Sequence, residues 1–245
     1  MNGTLKNQYL TVDSHPTANR MELSTPMTDA RAFRYIVADD HSPVILAVSH
    51  ILADVLSVTP SICTNAAHLL AQCAEPADDP RIVILDLVMP GEFKRVALVR
   101  AIMNADPMSR IIVYTAEESA FLAHSVIEAG ALGYVAKTSP ATELMDALSA
   151  VSCGKQYVDR HIELEKIKSH PWSSLTESER AVLVAFCQGA KAKDIVAATG
   201  RSYSTVTTHK YNGLGKLGLR DGKDLLPYLY TNGLLHELDV APITR

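Results

Sequence analysis

The sequence predicts an α/β domain built on a parallel sheet, followed by an all-α domain. Three observations carry this. From Phe33 to Cys153, short apolar runs rich in β-branched residues alternate with stretches of helical period. One run, Ile82-Val83-Ile84-Leu85, is apolar throughout, as in a strand buried on both faces. From Leu175 onward only the helical period remains. Charge divides at the same place. From Leu175 there are nine Lys/Arg against seven Asp/Glu, and before it fourteen against twenty, so the net −4 splits into +2 and −6.

At 245 residues, 47% hydrophobic and 20% charged, the chain has ordinary globular composition and room for one or two domains. No apolar run approaches the roughly 18–20 residues that cross a bilayer. The first residues lack the basic-then-apolar layout of a secretory signal. A cytoplasmic protein without a membrane contact is expected. The four cysteines, Cys63, Cys73, Cys153 and Cys187, are far apart with no Cys-x-x-Cys, which favours reduced, buried thiols over disulfides or a zinc site.

Residues 1–32 are polar and aperiodic and read as a flexible tail. Residues 33–153 form the α/β domain. Arg34–Ala38 is a strand. A helix follows over His41–Leu56, with Ser42-Pro43 at its start and Val44, Val48, Ile51, Leu52 and Val55 on one face. A weaker strand lies at Ser61–Thr64 and a helix at Ala66–Gln72. Ile82–Asp86 is the central strand, stopped by Met89-Pro90-Gly91, and about Lys94–Asn104 is a helix. Arg110–Thr115, Ser119–Ala129, Gly133–Lys137 and Pro140–Val151 complete five strand-then-helix units. Residues 154–172 are a linker, partly helical at most. Residues 173–238 are helical: Thr176-Glu177-Ser178-Glu179 fits a capping box, Ala192–Thr199 is a short helix closed by Gly200, and a longer one runs to Leu217. A last helix within Asp224–Asn232 must start only about a turn before Pro227. Residues 239–245 form a tail.

The strand ends carry the chemistry. Asp39-Asp40, Asp86, Thr115 and Lys137 close four strands, and in a parallel sheet these ends share one edge, where ligands bind. Three carboxylates held together call for a cation, and oxygen ligands suit Mg²⁺. A lysine and a hydroxyl beside them can meet phosphoryl oxygens, which are the parts of phosphoryl transfer to a carboxylate. Taken one at a time, Asp39 and Asp40 could cap the next helix, Lys137 could be a solvated lysine, and Tyr134 a half-buried strand residue.

Together these residues resemble the receiver domain of two-component response regulators: an acidic pair, Asp86-Leu87-x-Met89-Pro90-Gly91, Thr115-Ala116, and Gly133-Tyr134-x-x-Lys137. The resemblance covers about Phe33–Cys153 and implies a flavodoxin-like (βα)5 fold. It implies that Asp86 is the phospho-acceptor, Asp40 a direct Mg²⁺ ligand and Asp39 one acting mainly through water. The Val88 carbonyl is a further ligand, Lys137 and Thr115 bind the phosphoryl oxygens, and Tyr134 is an aromatic switch. One departure stands beside the site. Where many receivers have Asp-Gly, this chain has Glu92-Phe93-Lys94-Arg95.

In the helical part, Ala192–Leu217 reads as a helix-turn-helix, whose second helix fits the major groove of DNA. The pattern from Leu175-Thr176 through Lys193-Asp194-Ile195, Ser202-x-x-Thr205-Val206 and Lys216-Leu217-Gly218 resembles the four-helix domain of the LuxR/NarL class. With a receiver in front, the chain is similar to NarL/FixJ-type response regulators, RcsB-like ones included. Val206, Gly213, Leu214 and Leu217 should face the core. The resemblance implies that Thr207, Thr208 and Tyr211 face bases, and that Lys193, Ser202, Thr205, His209 and Lys210 contact phosphates. Family members with Lys at the positions of Thr207 and Tyr211 should show a steeper salt dependence than this chain. Gly213 and Gly215 inside this helix cost about 1 kcal/mol each relative to Ala; they either admit a close neighbour or let the helix fray.

The expected function is a phosphorylation-controlled transcription factor, not an enzyme acting on other molecules. Its partners are DNA, a sensor histidine kinase or phosphotransfer protein, and a second copy in a homodimer or another regulator in a heterodimer. Two rivals are a phosphorylation-independent DNA-binding protein or heterodimer partner, and a small Mg²⁺-dependent phosphatase.

Overall fold

The computed structural model describes residues 32–239. The tails expected at 1–32 and 239–245 therefore lie almost wholly outside the described residues. Strands β1 (Arg34–Ala38), β2 (Ser61–Cys63), β3 (Arg81–Leu85), β4 (Arg110–Thr115), β5 (Gly133–Ala136) and β6 (Tyr157–Val158) form one parallel sheet, ordered β2-β1-β3-β4-β5-β6. All five β3 residues are buried, as their unbroken apolar run requires. On one face pack α1 (Ser42–Leu56) and α5 (Ala141–Ser152), around Val48, Leu52, Leu144 and Leu148. On the other pack α2 (Ala66–Ala74), α3 (Arg95–Ala105) and α4 (Ala120–Glu128), around Leu69, Leu98, Ile102 and Leu122.

The segment expected as a linker supplies β6 and the short helix α6 (Glu165–Ser169). A two-residue strand is too short to show a period, and pairing with β5 alone defines it. Val55, expected on the core face of α1, is 45% exposed. The buried stripe of the helix runs Val48, Leu52, Leu56 at four-residue spacing, and Val55 stands one position off it, turned about 100° towards solvent. Of the cysteines, Cys63 and Cys73 are buried and Cys187 half-buried, but Cys153 is exposed, just past the end of α5.

The C-terminal domain contains α7 (Glu177–Cys187), α8 (Ala192–Thr199), α9 (Tyr203–Lys216) and α10 (Leu225–Thr231). The capping box at the start of α7 forms: Thr176 N–H donates to Glu179 at 2.8 Å, and Glu179 N–H to the Thr176 hydroxyl at 3.3 Å. Pro227 stands in the first turn of α10, where its missing N–H costs nothing. Trp172, Leu183, Leu214, Leu225 and Leu229 make the core. Leu214 and Leu217 face it as expected, and Val206 is buried in a second cluster with Val182, Ala185 and Ile195. Gly213 lets α9 approach α7, since a Cβ there would stand 2.8 Å from Leu183 Cδ1.

The two domains touch. Ser119, before α4, donates its hydroxyl proton to the Gly233 carbonyl at 2.6 Å. The Phe121 and His170 rings meet edge-on at 4.9 Å. His236 is buried, its Nε2 3.4 Å from the Ser125 hydroxyl.

Candidate functional site

The sheet register assembles the acidic site. Ala38 pairs with Leu85 and Thr115 with Ala136, so Asp39, Asp86 and Lys137 follow at one carboxyl edge. The ladder continues into the site: Asp86 N–H donates to the Ala38 carbonyl at 2.8 Å, and Lys137 N–H to the Thr115 carbonyl at 2.7 Å. With β2 and β3 on opposite sides of β1, the site lies at the topological switch of the sheet.

Lys137 Nζ lies 2.6 Å from Asp39 Oδ2 and 2.9 Å from Asp86 Oδ2. Burial pulls the lysine pKa down, but hydrogen bonds and charge from Asp39 and Asp86 outweigh it, so the ammonium titrates above the usual lysine value. Asp39 and Asp86 are both buried, whereas Asp40 is exposed at the rim. Asp39 and Asp40 do not cap α1: the residue before the helix is His41, and no side chain caps it.

Sequence reasoning passed over His41 as a mere helix start. Its Nδ1 lies 2.9 Å from Asp40 Oδ1, 3.1 Å from Asp39 Oδ1 and 3.9 Å from Asp86 Oδ2. Ligand atoms of Asp39, Asp40, His41 and Asp86 all lie within 4.8 Å of one another. Three carboxylates at this spacing, offset by one lysine, suit a hard divalent cation such as Mg²⁺. The signal in the sequence was only adjacency to the acidic pair.

Thr115 is buried at the end of β4, its hydroxyl accepting from Glu117 N–H at 3.4 Å. Tyr134 is fully buried and donates its hydroxyl to the Glu117 carbonyl at 2.5 Å. Burial, joined by the Glu117 charge, pushes the phenol pKa far up and keeps it protonated. The inward Tyr134 and the Thr115 loop thus share Glu117. Arg95 also grips Glu117, Nε to Oε1 at 2.7 Å.

Of the residues expected at DNA, Lys193, Ser202, Thr205, Thr208 and Tyr211 are exposed, Tyr211 by 64%. Ser202 is the cap of α9 and accepts from Thr205 N–H at 3.1 Å. Thr207 and His209 are half-buried, and Thr207 turns its hydroxyl to the Tyr203 carbonyl at 2.9 Å. Lys210 lies with Nζ 4.3 Å from the centre of the Phe186 ring, against its own domain. Tyr203, at the first turn of α9, is likewise 64% exposed.

A carboxylate-and-lysine site at a sheet edge, joined to a helix-turn-helix, defines a signal-receiving domain coupled to a DNA-binding domain. Residues 35–149 match the response regulator receiver domain, and residues 173–228 match the bacterial regulatory proteins of the luxR family. Together these span more than two thirds of the chain, which belongs to the two-component response regulator transcription factors of the NarL/FixJ family. It is 28% identical over 219 residues to the transcriptional regulatory protein LiaR of Bacillus subtilis, covering 83% of this chain and 99% of LiaR. To the response regulator UvrY of Escherichia coli it is 27% identical over 211 residues, covering 81% of this chain and 94% of UvrY. A solved structure of RcsB from Salmonella enterica serovar Typhimurium, bound to promoter rprA with a phosphomimetic beryllium fluoride, matches with a TM-score of 0.58 at 26% identity. That match covers 80% of this chain and 97% of RcsB. Among the described residues no helix is long and apolar enough to cross a membrane.

Proposed function

We propose that Asp86 accepts a phosphoryl group from a sensor histidine kinase or phosphotransfer protein, and that this controls dimerisation and sequence-specific DNA binding by the C-terminal domain in the cytoplasm. The observation that carries the reading is Lys137 Nζ at 2.6 and 2.9 Å from the buried carboxylates of Asp39 and Asp86. Asp86 Oδ attacks phosphorus; the P–N bond of the donor phosphohistidine breaks as the acyl-phosphate P–O bond forms, and the imidazole leaves with the electron pair. Asp39, Asp40, Asp86 and the Val88 carbonyl are suited to hold Mg²⁺, which neutralises charge on the phosphoryl oxygens when bound. Lys137 exchanges a carboxylate partner for a phosphoryl oxygen, and the Thr115 hydroxyl moves to another. Glu117 follows Thr115, and Tyr134 keeps its inward position through the Glu117 carbonyl.

In the C-terminal domain, Thr208 and Tyr211 present an exposed face of α9 to bases, Thr207 stands beside them, and Lys193, Ser202 and Thr205 position the phosphate backbone, with His209 at the flank. Lys210 must leave Phe186 to reach a phosphate. The RcsB structures, one of them of two dimers on two parallel DNAs, support promoter binding as a dimer.

The test is incubation of the full chain with acetyl phosphate and Mg²⁺, followed by mass spectrometry and a DNA titration. One phosphoryl adduct, absent in Asp86→Asn, together with tighter DNA binding, is the expected result. No adduct, with unchanged DNA binding in Asp86→Asn, would leave a phosphorylation-independent regulator.

A further inference from the structure

The geometry points to His41 as a nitrogen ligand of the cation site, one that shifts its preference from Mg²⁺ towards first-row transition ions. The inference rests on the reading of Asp39, Asp40 and Asp86 as a cation site. It comes from how the carboxylate oxygens are shared out. Lys137 takes Oδ2 of both Asp39 and Asp86. The other side of the cluster, Asp39 Oδ1 and Asp40 Oδ1, faces His41 Nδ1 at 3.1 and 2.9 Å. Neighbouring ligands in an octahedral shell with bonds of ~2.1 Å stand about 3.0 Å apart. Here Nδ1 donates its proton to these oxygens, and with that proton displaced by an ion the ring nitrogen stands at the spacing of a shell-mate to both.

The ring is anchored at its root and, beyond its contacts with Asp39 and Asp40, open to solvent. His41 N–H donates to Asp39 Oδ1 at 2.8 Å, which fixes the backbone beside the cluster. The side chain itself is 61% exposed, so it can turn its lone pair inward without disturbing the core. An imidazole adds little for Mg²⁺, which prefers oxygen donors and keeps its waters. For first-row ions a nitrogen donor strengthens the site, in the order that rises from Mn²⁺ onward.

The test uses Mn²⁺ and Mg²⁺ on the full chain, as wild type, His41→Ala and Asp40→Asn. Calorimetry gives the two affinities, and pulsed electron paramagnetic resonance reads nitrogen coupling to bound Mn²⁺. The expected result is imidazole nitrogen coupling in wild type, lost in His41→Ala, with Mn²⁺ affinity lower by about tenfold and Mg²⁺ affinity nearly unchanged. Bound Mn²⁺ without nitrogen coupling in wild type overturns the inference. So does tighter Mn²⁺ binding in His41→Ala, which would mean that the ring occupies the ion's place. If neither ion binds wild type, or if Asp40→Asn binds both as wild type does, the cation-site reading itself fails and this inference fails with it.

Discussion

Arg95 Nη1 lies 2.8 Å from the Asp239 carboxylate, tying the first residue of α3 to the far end of the C-terminal domain. The same guanidinium holds Glu117 through Nε, and the Glu117 carbonyl accepts the Tyr134 hydroxyl. One side chain thus joins the loop after Thr115 to the helical domain. Arg95 closes the Glu92–Arg95 segment that departs from the receiver pattern. Its backbone is left-handed, at φ 46°, which costs a non-glycine residue on the order of 1 kcal/mol. The ion pairs it makes, with Glu117 inside the receiver and with Asp239 across the domains, help offset that cost.

Replacing Arg95 with Ala removes both pairs. Each is partly exposed, so the loss is about 1 kcal/mol, a factor of roughly five in the docking equilibrium. Amide hydrogen exchange over residues 233–239 should quicken by about that factor, while the sheet exchanges as before. Unchanged exchange would mean that Ser119 on Gly233 and Phe121 against His170 hold the domains without Arg95.

Lys137→Met strands Asp39 and Asp86 without a counter-charge. Breaking such a buried set costs on the order of 3 kcal/mol. Because the folded-state pKa of Lys137 is raised, its contribution is fully present below the ordinary lysine value of 10.5 and is lost as pH climbs through the folded value above it. Denaturation by urea should show a wide gap between wild type and variant at pH 8. A gap that failed to narrow above pH 10.5 would contradict the assignment.

His236 sets a pH dependence of docking. Burial depresses its pKa below the usual 6.5, against the opposing charges of Glu237, Glu117 and Asp239, with Arg95 acting in the same direction as burial. The receiver contributes to that burial through Ser125. Undocked, the imidazole regains water and binds its proton more readily, so docking weakens as pH falls through 6.5. Small-angle scattering should report a larger particle at pH 5.5 than at pH 7.5, and His236→Gln should remove most of the difference. Equal dimensions at both values would rule this out.

How much of this was legible depended on period and adjacency. The apolar run of β3 and the alternation around it located the ends of β1, β3, β4 and β5, and so Asp39, Asp86, Thr115 and Lys137, because a parallel sheet brings its carboxyl ends to one edge. The β6 strand was not legible, because its two residues gain their structure from β5. Nor was the role of Arg95: a charged residue at a helix start shows its partner only once the chain has brought Asp239 back across 144 positions. Lys210 resembled a phosphate contact by position, and only packing shows it lying against Phe186.

The two glycines of α9 looked alike in sequence and differ in place. A Cβ at Gly213 would stand 2.8 Å from Leu183 Cδ1 and 3.2 Å from Leu183 Cγ, whereas at Gly215 nothing lies within 4 Å. Alanine at Gly215 therefore gains helix propensity with no clash, about 0.5–1 kcal/mol. Alanine at Gly213 gains the same propensity but must push Leu183 out of the α7 interface, and overpacking costs about 1–3 kcal/mol. Leu183 also lies in the core with Trp172 and Leu214, so little room remains for it to yield. Thermal unfolding of the C-terminal domain, followed by Trp172 fluorescence in the full chain, should rise for Gly215→Ala and fall for Gly213→Ala. Shifts of the same sign would mean that α9 is free to slide on α7, and that the close approach at Gly213 does not position the DNA-reading face.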